Sequence, residues 1–224
     1  MMKKVKLFFV LIAVLGTANG VKGQDVAVSA GADIVSSYIW RGLYSGPASV
    51  QPGISLSAGN FSIGAWGSTS FESSWREFDL YAGYSIGNFS VLVTDYFFPR
   101  NLPDGEGSGY FDYSEHVFEA TLGYSFGESF PLSLAWNTNF AGDDDYSSYF
   151  EASYSLPVGS VNVDLILGAT PWEGAYSDGF ALINASIKAS KEITITDSFS
   201  LPVFTQAILN PDTKDVFLVF GMSF

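Results

Sequence analysis

His116 is the sole histidine of a chain that has no cysteine, so acid–base or nucleophilic chemistry near neutral pH would have to be built around it. Ser114 stands two residues away, on the same face if the segment is extended, as the His and Ser of a lipid hydrolase would. A working nucleophile also needs a third group that fixes the imidazole. Phe118 and Ala120 follow on that face, so no such group is in view and no catalytic residue is assigned. The stronger chemical signal is charge. Asp33, Glu77, Asp79, Glu119, Glu151 and Asp164, with Tyr81, fall on one parity of alternating segments, against Arg41 and Lys188. Lining a narrow passage, such a set attracts cations and repels anions. Arg41 reads either as part of a selective constriction or as a cation paired with an interior carboxylate such as Asp33 or Glu77, and pairing is the commoner use of arginine there. Asp143-Asp144-Asp145 lacks the alternating ligand spacing of a calcium loop. Asp104 to Gly109 has no following lysine or helix for a phosphate cradle. Neither a metal nor a cofactor is expected.

The elements that would position these residues are strands. Alternating segments run over 25–41, 49–58, 61–70, 76–86, 89–98, 114–126, 132–140, 147–156, 161–170, 179–190, 200–210 and 215–224. The connections Gly59-Asn60, Gly87-Asn88, Gly127 to Pro131 and Pro157 to Ser160 are short and made of turn residues. They alternate with the longer or more acidic 42–48, 71–75, 99–113, 141–146, 171–178 and 211–214. Short turns on one side and long loops on the other predict an all-β fold: a transmembrane, antiparallel, up-and-down β-barrel of about twelve strands.

The two faces of the segments differ in kind. One reads Ile54, Leu56, Ala58; Phe78, Leu80, Ala82; Phe118, Ala120, Leu122; Val161, Val163, Leu165, Leu167; and Ala181, Ile183, Ala185, Ile187, with no charge in the series. The other carries the acids above, together with Gln51, Asn137, Asn139 and Asn184. That polarity predicts lipid outside and a polar lumen inside. Tyr84, Tyr124 and Tyr154, with Phe61, Phe89 and Leu132 opposite, form an aromatic belt at the turn end, where amphipathic rings favour a membrane interface. Tyr38, Trp40, Phe140 and Phe150 are expected in the other belt. Phe180, Leu182, Phe204, Ile208, Phe217 and Val219 fall on the inward parity and predict one greasy lumen wall. Twelve strands ~4.8 Å apart and tilted ~40° close at a diameter of about 24 Å. Side chains ~6 Å long from each wall leave about 12 Å at most, a bore for small solutes.

The ends and the composition fit export. Lys3, Lys4 and Lys6 precede an apolar run over 7–16 and then small residues, the layout of a secretory signal peptide, here taken as residues 1–23 with the barrel over 24–224. Without the four lysines of that leader, six basic residues stand against 23 acidic ones, a net charge of −17. Such a surface excludes general nucleic-acid binding. No later apolar stretch is long enough for a membrane-spanning helix, and in lipid only a closed barrel otherwise satisfies every backbone hydrogen bond. Outer-membrane lipid and small solutes are therefore the expected partners.

The segment Tyr38-Ile39-Trp40-Arg41-Gly42, followed by Pro47 and Gln51-Pro52-Gly53, resembles the TorF-type porins, a family of uncharacterised bacterial outer-membrane proteins. Asp95-Tyr96-Phe97-Phe98-Pro99, Tyr149-Phe150-Glu151 and Asn210-Pro211 are similar to that family as well. The resemblance implies a bacterial outer-membrane location and a passive channel. The strand ending on Phe224 is similar to the closing strands read by barrel-assembly machinery, which makes Phe224 the expected assembly signal.

Overall fold

The computed structural model describes residues 26–72, 75–99 and 109–224. The leader over 1–23 lies outside the described residues, as do Asp104 to Ser108. Twelve strands are present among them: β1 (Val26–Trp40), β2 (Leu43–Ala58), β3 (Phe61–Ser70), β4 (Arg76–Ile86), β5 (Phe89–Phe97), β6 (His116–Ser125), β7 (Leu132–Ala141), β8 (Ser148–Val158), β9 (Val161–Thr170), β10 (Ala181–Thr196), β11 (Phe199–Asn210) and β12 (Asp215–Ser223). Each pairs antiparallel with its sequence neighbours, and β12 returns to β1, so the sheet closes as an up-and-down barrel. The closing seam is short. Asp33, Ile34 and Val35 pair with Ser223, Met222 and Gly221, and Phe224 exchanges both backbone hydrogen bonds with Ala32, at 3.0 and 3.2 Å.

Turn chemistry explains the compact end. Gly59 and Gly87 adopt φ of 59° and 56°, the left-handed conformation that a two-residue hairpin requires and that glycine reaches without a Cβ clash. Aromatic rings gather there in cross-strand pairs. Phe61 meets Tyr84 and Phe89 meets Tyr124, each with ring centroids 4.6 Å apart.

The first hairpin departs from expectation. Within the segment 42–48, residues 43–48 are a continuation of β2, and Arg41 and Gly42 alone make the turn. Gly46 and Pro47 read as loop signals, but β3 ends opposite Ser49. Residues 43–47 therefore pair with β1 alone, and a proline on such an edge forfeits no ladder hydrogen bond. The hairpin overhangs the wall and bends inward. Asn210 donates to the Gly42 carbonyl across 3.1 Å, and a Cβ on Gly42 would sit 1.9 Å from the Ile183 carbonyl oxygen. The β10–β11 hairpin is likewise longer than the alternation over 179–190 and 200–210 implied, turning at Asp197-Ser198.

A bulge at Ile183 resets the parity of β10. Leu182 pairs with Ala169 and Asn184 with Gly168, skipping one residue. The extra residue rotates everything before it by one face. Ala181 and Ile183 are therefore buried inside, with Ile183 at 0% exposure, while Leu182 and Phe180 face outward. These four corrections follow from one inserted residue. The rest of the greasy wall stands: Phe204, Ile208, Phe217 and Val219 pack with Val35 and Ile39 inside the barrel. A second interior cluster joins Tyr149, Tyr176, Ala181 and Ile183 to Leu43.

Candidate functional site: an arginine-capped acidic lumen

Register places Asp33, Glu77, Asp79, Tyr81, Glu119, Glu151, Asp164 and Lys188 on the interior face. Asp33 lies opposite Gln51 and Ser223, Tyr81 opposite Gly64, and Glu151 opposite Ala135 and Gly168. Asp164 and Lys188 are register partners, yet each has other company. Asp164 accepts from Ser155 Oγ at 2.6 Å, and Lys188 Nζ stands 4.3 Å from the centre of the Phe204 ring. Gln51 reaches Ser68 across 3.4 Å, while Pro52 sits opposite Ala32 on the outward parity.

The inturned hairpin tip reaches across the mouth on the loop side. Arg41, at φ 51°, extends from β1 toward β6 on the far side of the lumen and makes a two-pronged ion pair with Glu119, with its second nitrogen at 2.8 Å. The two side chains are 9% and 1% exposed. The partner is thus Glu119, not Asp33 or Glu77. Asp33 lies well back along β1, opposite Gln51 and Ser223, and Glu77 is on β4 opposite Ser68, whereas Arg41 at the end of β1 reaches β6. Arg41 also donates to the Tyr176 hydroxyl, and its guanidinium carbon lies 4.6, 5.0 and 5.8 Å from the ring centres of Trp40, Tyr149 and Tyr176. Tyr96 Oη donates to Glu119 at 3.1 Å. Burial pushes the Tyr176 phenol above its usual range, so it remains a neutral hydroxyl. Tyr149 is fixed by donating to Glu151 at 2.8 Å and accepting from Asn184 at 3.0 Å.

Two residues assigned to the loop-side belt belong to this interior. Tyr38 is buried, its ring 5.6 Å from Trp66. Trp40 covers Arg41 and meets the inward-facing Tyr96 edge to face at 6.0 Å. The irregular register after Tyr38 and the inward bend bury Tyr38 and turn Trp40, which keeps 36% exposure, over Arg41, while Phe140 and Phe150 are exposed as expected. Beneath Tyr38 lie Glu77 and Asp79, both buried, with Glu77 Oε2 and Asp79 Oδ1 lacking any protein partner. Toward the turn end the lumen widens into a cavity of about 540 Å³, lined by Ser90, Thr121, Ser125, Ser133, Glu151 and Ser153 among others.

Sequence reasoning missed a buried ion pair on the outer face. Asp95 is register partner to Phe118 and Leu80, hence outward, and it meets His116 Nδ1 at 2.5 Å. His116 Nε2 contacts the Tyr110 carbonyl at 2.6 Å, so that nitrogen carries a hydrogen, since a carbonyl only accepts. Tyr110 Oη donates to Asp95 Oδ2 at 2.9 Å, and the Phe97 ring stacks on the imidazole. The outer face therefore does hold an Asp side chain, paired with the histidine and roofed by Tyr110. The signal was available: Asp95 shares the parity of Val91 and Val93. Ser114 Oγ donates to Asp112 instead, so this serine does not address the ring.

Among the described residues no group of acids converges as metal ligands, and in the loop after β7 Asp143 has a bracing role. Asp143 accepts from Asn139 Nδ2 at 2.8 Å and from the amides of Ser147 and Asp145 at 2.9 and 3.1 Å, which braces the β7–β8 connection. Partial burial raises its carboxyl, but the bonds from Ser147, Asn139 and Asp145 outweigh that and hold it below the usual carboxylate range.

Residues 20–182 match the model of a family described as a bacterial protein of unknown function. No curated protein matches the chain.

Proposed function

The chain belongs to the Gcw_chp family of bacterial proteins of unknown function, and from that premise we propose that it is an outer-membrane channel passing small hydrophilic solutes with a preference for cations. The observation that carries this reading is the polarity of the wall. Leu56, Leu122, Leu165, Leu167, Leu218 and their neighbours present an exposed apolar exterior, while Glu77, Asp79, Glu119, Glu151 and Asp164 face in. Water-soluble barrels bury apolar side chains and expose polar ones, so a closed barrel of the opposite polarity suits lipid. A shallow apolar groove of about 590 Å³ between Leu132 and Val216 on the outer wall suits acyl chains. Export through a cleaved leader, insertion by barrel-assembly machinery and kinship with TorF-type porins belong to the same proposal.

The Arg41 cap favours a second reading, a non-conducting structural barrel that presents acidic loops, because the Arg41–Glu119 pair spans the lumen from β1 to β6 and is nearly inaccessible to solvent. Hydrolysis is not part of the proposal, as His116 is engaged at both ring nitrogens. Purified protein in planar bilayers decides between the first two. Cation-selective current steps support the channel; a folded, inserted barrel without current supports the structural reading.

A further inference from the structure

The pocket around the Arg41 guanidinium is built from the barrel wall, whereas the guanidinium arrives on a hairpin tip. Glu119 comes from β6, Tyr96 from β5, Tyr149 from β8 and Tyr176 from the connection after β9. Glu119 also accepts from the Tyr96 hydroxyl at 3.1 Å, a bond that does not involve the arginine. Tyr149 is held independently by Glu151 and Asn184. Without Arg41 there would remain a carboxylate at the base, a hydroxyl at the rim and two aromatic faces about the space where the cation lies.

That composition recognises organic cations. A carboxylate matches a guanidinium fork in two parallel hydrogen bonds, and aromatic faces attract weakly hydrated cations through the ring quadrupole. Sodium has neither the fork nor the weak hydration. Arg41, for its part, holds a left-handed backbone conformation uncommon for a residue with a side chain, in a turn whose neighbours on one side are unpaired. We propose that this cage is a recognition site for small solutes bearing guanidinium or alkylammonium groups, and that Arg41 is its tethered occupant, displaced when such a cation enters. The inference rests on the cation-passing channel proposed above and names the class of solute that the channel distinguishes. Displacement frees the hairpin tip, Trp40 included, from its hold on the wall, so the cap loosens where solute is present.

Calorimetric titration of the detergent-refolded protein with methylguanidinium chloride, against sodium chloride at equal ionic strength, tests it. Arg41→Ala should bind methylguanidinium at least tenfold more tightly than the wild type, where the tethered arginine competes, and adding Glu119→Gln should abolish the gain. Equal binding by wild type and Arg41→Ala, or tight binding that survives Glu119→Gln, would overturn the proposal. If Arg41→Ala does not refold, Arg41→Gln serves: glutamine keeps much of the side-chain length but carries no cation, so the same probe should again bind at least tenfold more tightly than to wild type, and unchanged affinity would overturn the cage. Calorimetry needs no current, so the two ideas fail separately. Binding without conductance would sink the channel, and conductance without binding would sink the cage.

Discussion

Glu119→Gln removes one charge from the pair that caps the lumen. Both side chains are nearly inaccessible and the contact is two-pronged, so the remaining guanidinium would be buried without a counter-charge. Breaking a buried pair from one side costs ~3–5 kcal/mol. Cation–π contacts of the order of 0.5–2 kcal/mol each persist with Trp40, Tyr149 and Tyr176, which places the expected loss near the low end, about 3 kcal/mol. Replacing both members with apolar residues, Arg41→Met with Glu119→Leu, leaves no orphaned charge and should cost within about 1 kcal/mol of nothing. The single changes Arg41→Met and Glu119→Leu, each of which strands the other's buried charge, would then be strongly non-additive in that double variant. Urea titration of tryptophan fluorescence, on protein refolded into detergent or vesicles, gives the values for Glu119→Gln, for both single changes and for the double variant. A loss below about 1 kcal/mol for Glu119→Gln, or single effects that simply add in the double variant, would show that the pair is solvated and would refute the buried cap.

Three further outcomes follow from other parts of the wall. His116→Ala should destabilise the barrel by about 3 kcal/mol by stranding the outward Asp95 carboxylate, and adding Asp95→Asn should recover most of that loss in the same urea titration. Phe224→Asp sets a charge on the exposed outer face and deletion of Phe224 removes both seam bonds to Ala32; each should lower the fraction of heat-modifiable, folded protein recovered from membranes, and normal recovery of both would remove the assembly role. Because Asp143 is held below the usual carboxylate range in the folded loop, its stabilisation is full above about pH 4 and fades as pH falls through its folded value. Intrinsic-rate-corrected amide exchange of residues 142–147 should therefore rise in acid for the wild type and lose that pH dependence in Asp143→Asn.

Strand count, order and facing were legible from alternation because register in a barrel leaves one periodicity for nearly every strand. What escaped the sequence was non-local or depended on a single inserted residue. Ile183 sits on the parity of Ala185 and Ile187 in the chain, and only the bulge against β9 turns it inward. Tyr38 and Trp40 alternate like belt aromatics, yet the overhanging hairpin folds them over the lumen. The overhang exists because β3 is shorter than β2, a comparison between strands that no single segment contains. Arg41 as a paired cation was readable from the cost of burying charge, but Glu119, 78 residues away, was one of several inward acids. The Asp95–His116 pair was within reach, since Asp95 interrupts an outward apolar series and the sole histidine needed a partner.

The central claim is that the apolar face meets lipid and the acidic face meets the lumen. The chain has no cysteine, so single cysteines carrying nitroxide labels report one position at a time. Labels at Leu56, Leu122 and Leu167 in reconstituted protein should be relaxed by oxygen dissolved in the bilayer and shielded from a polar nickel chelate, whereas labels at Ser55, Thr121 and Ile166 should be shielded from oxygen. Reversed accessibility, or no alternation between the two sets, would contradict the account.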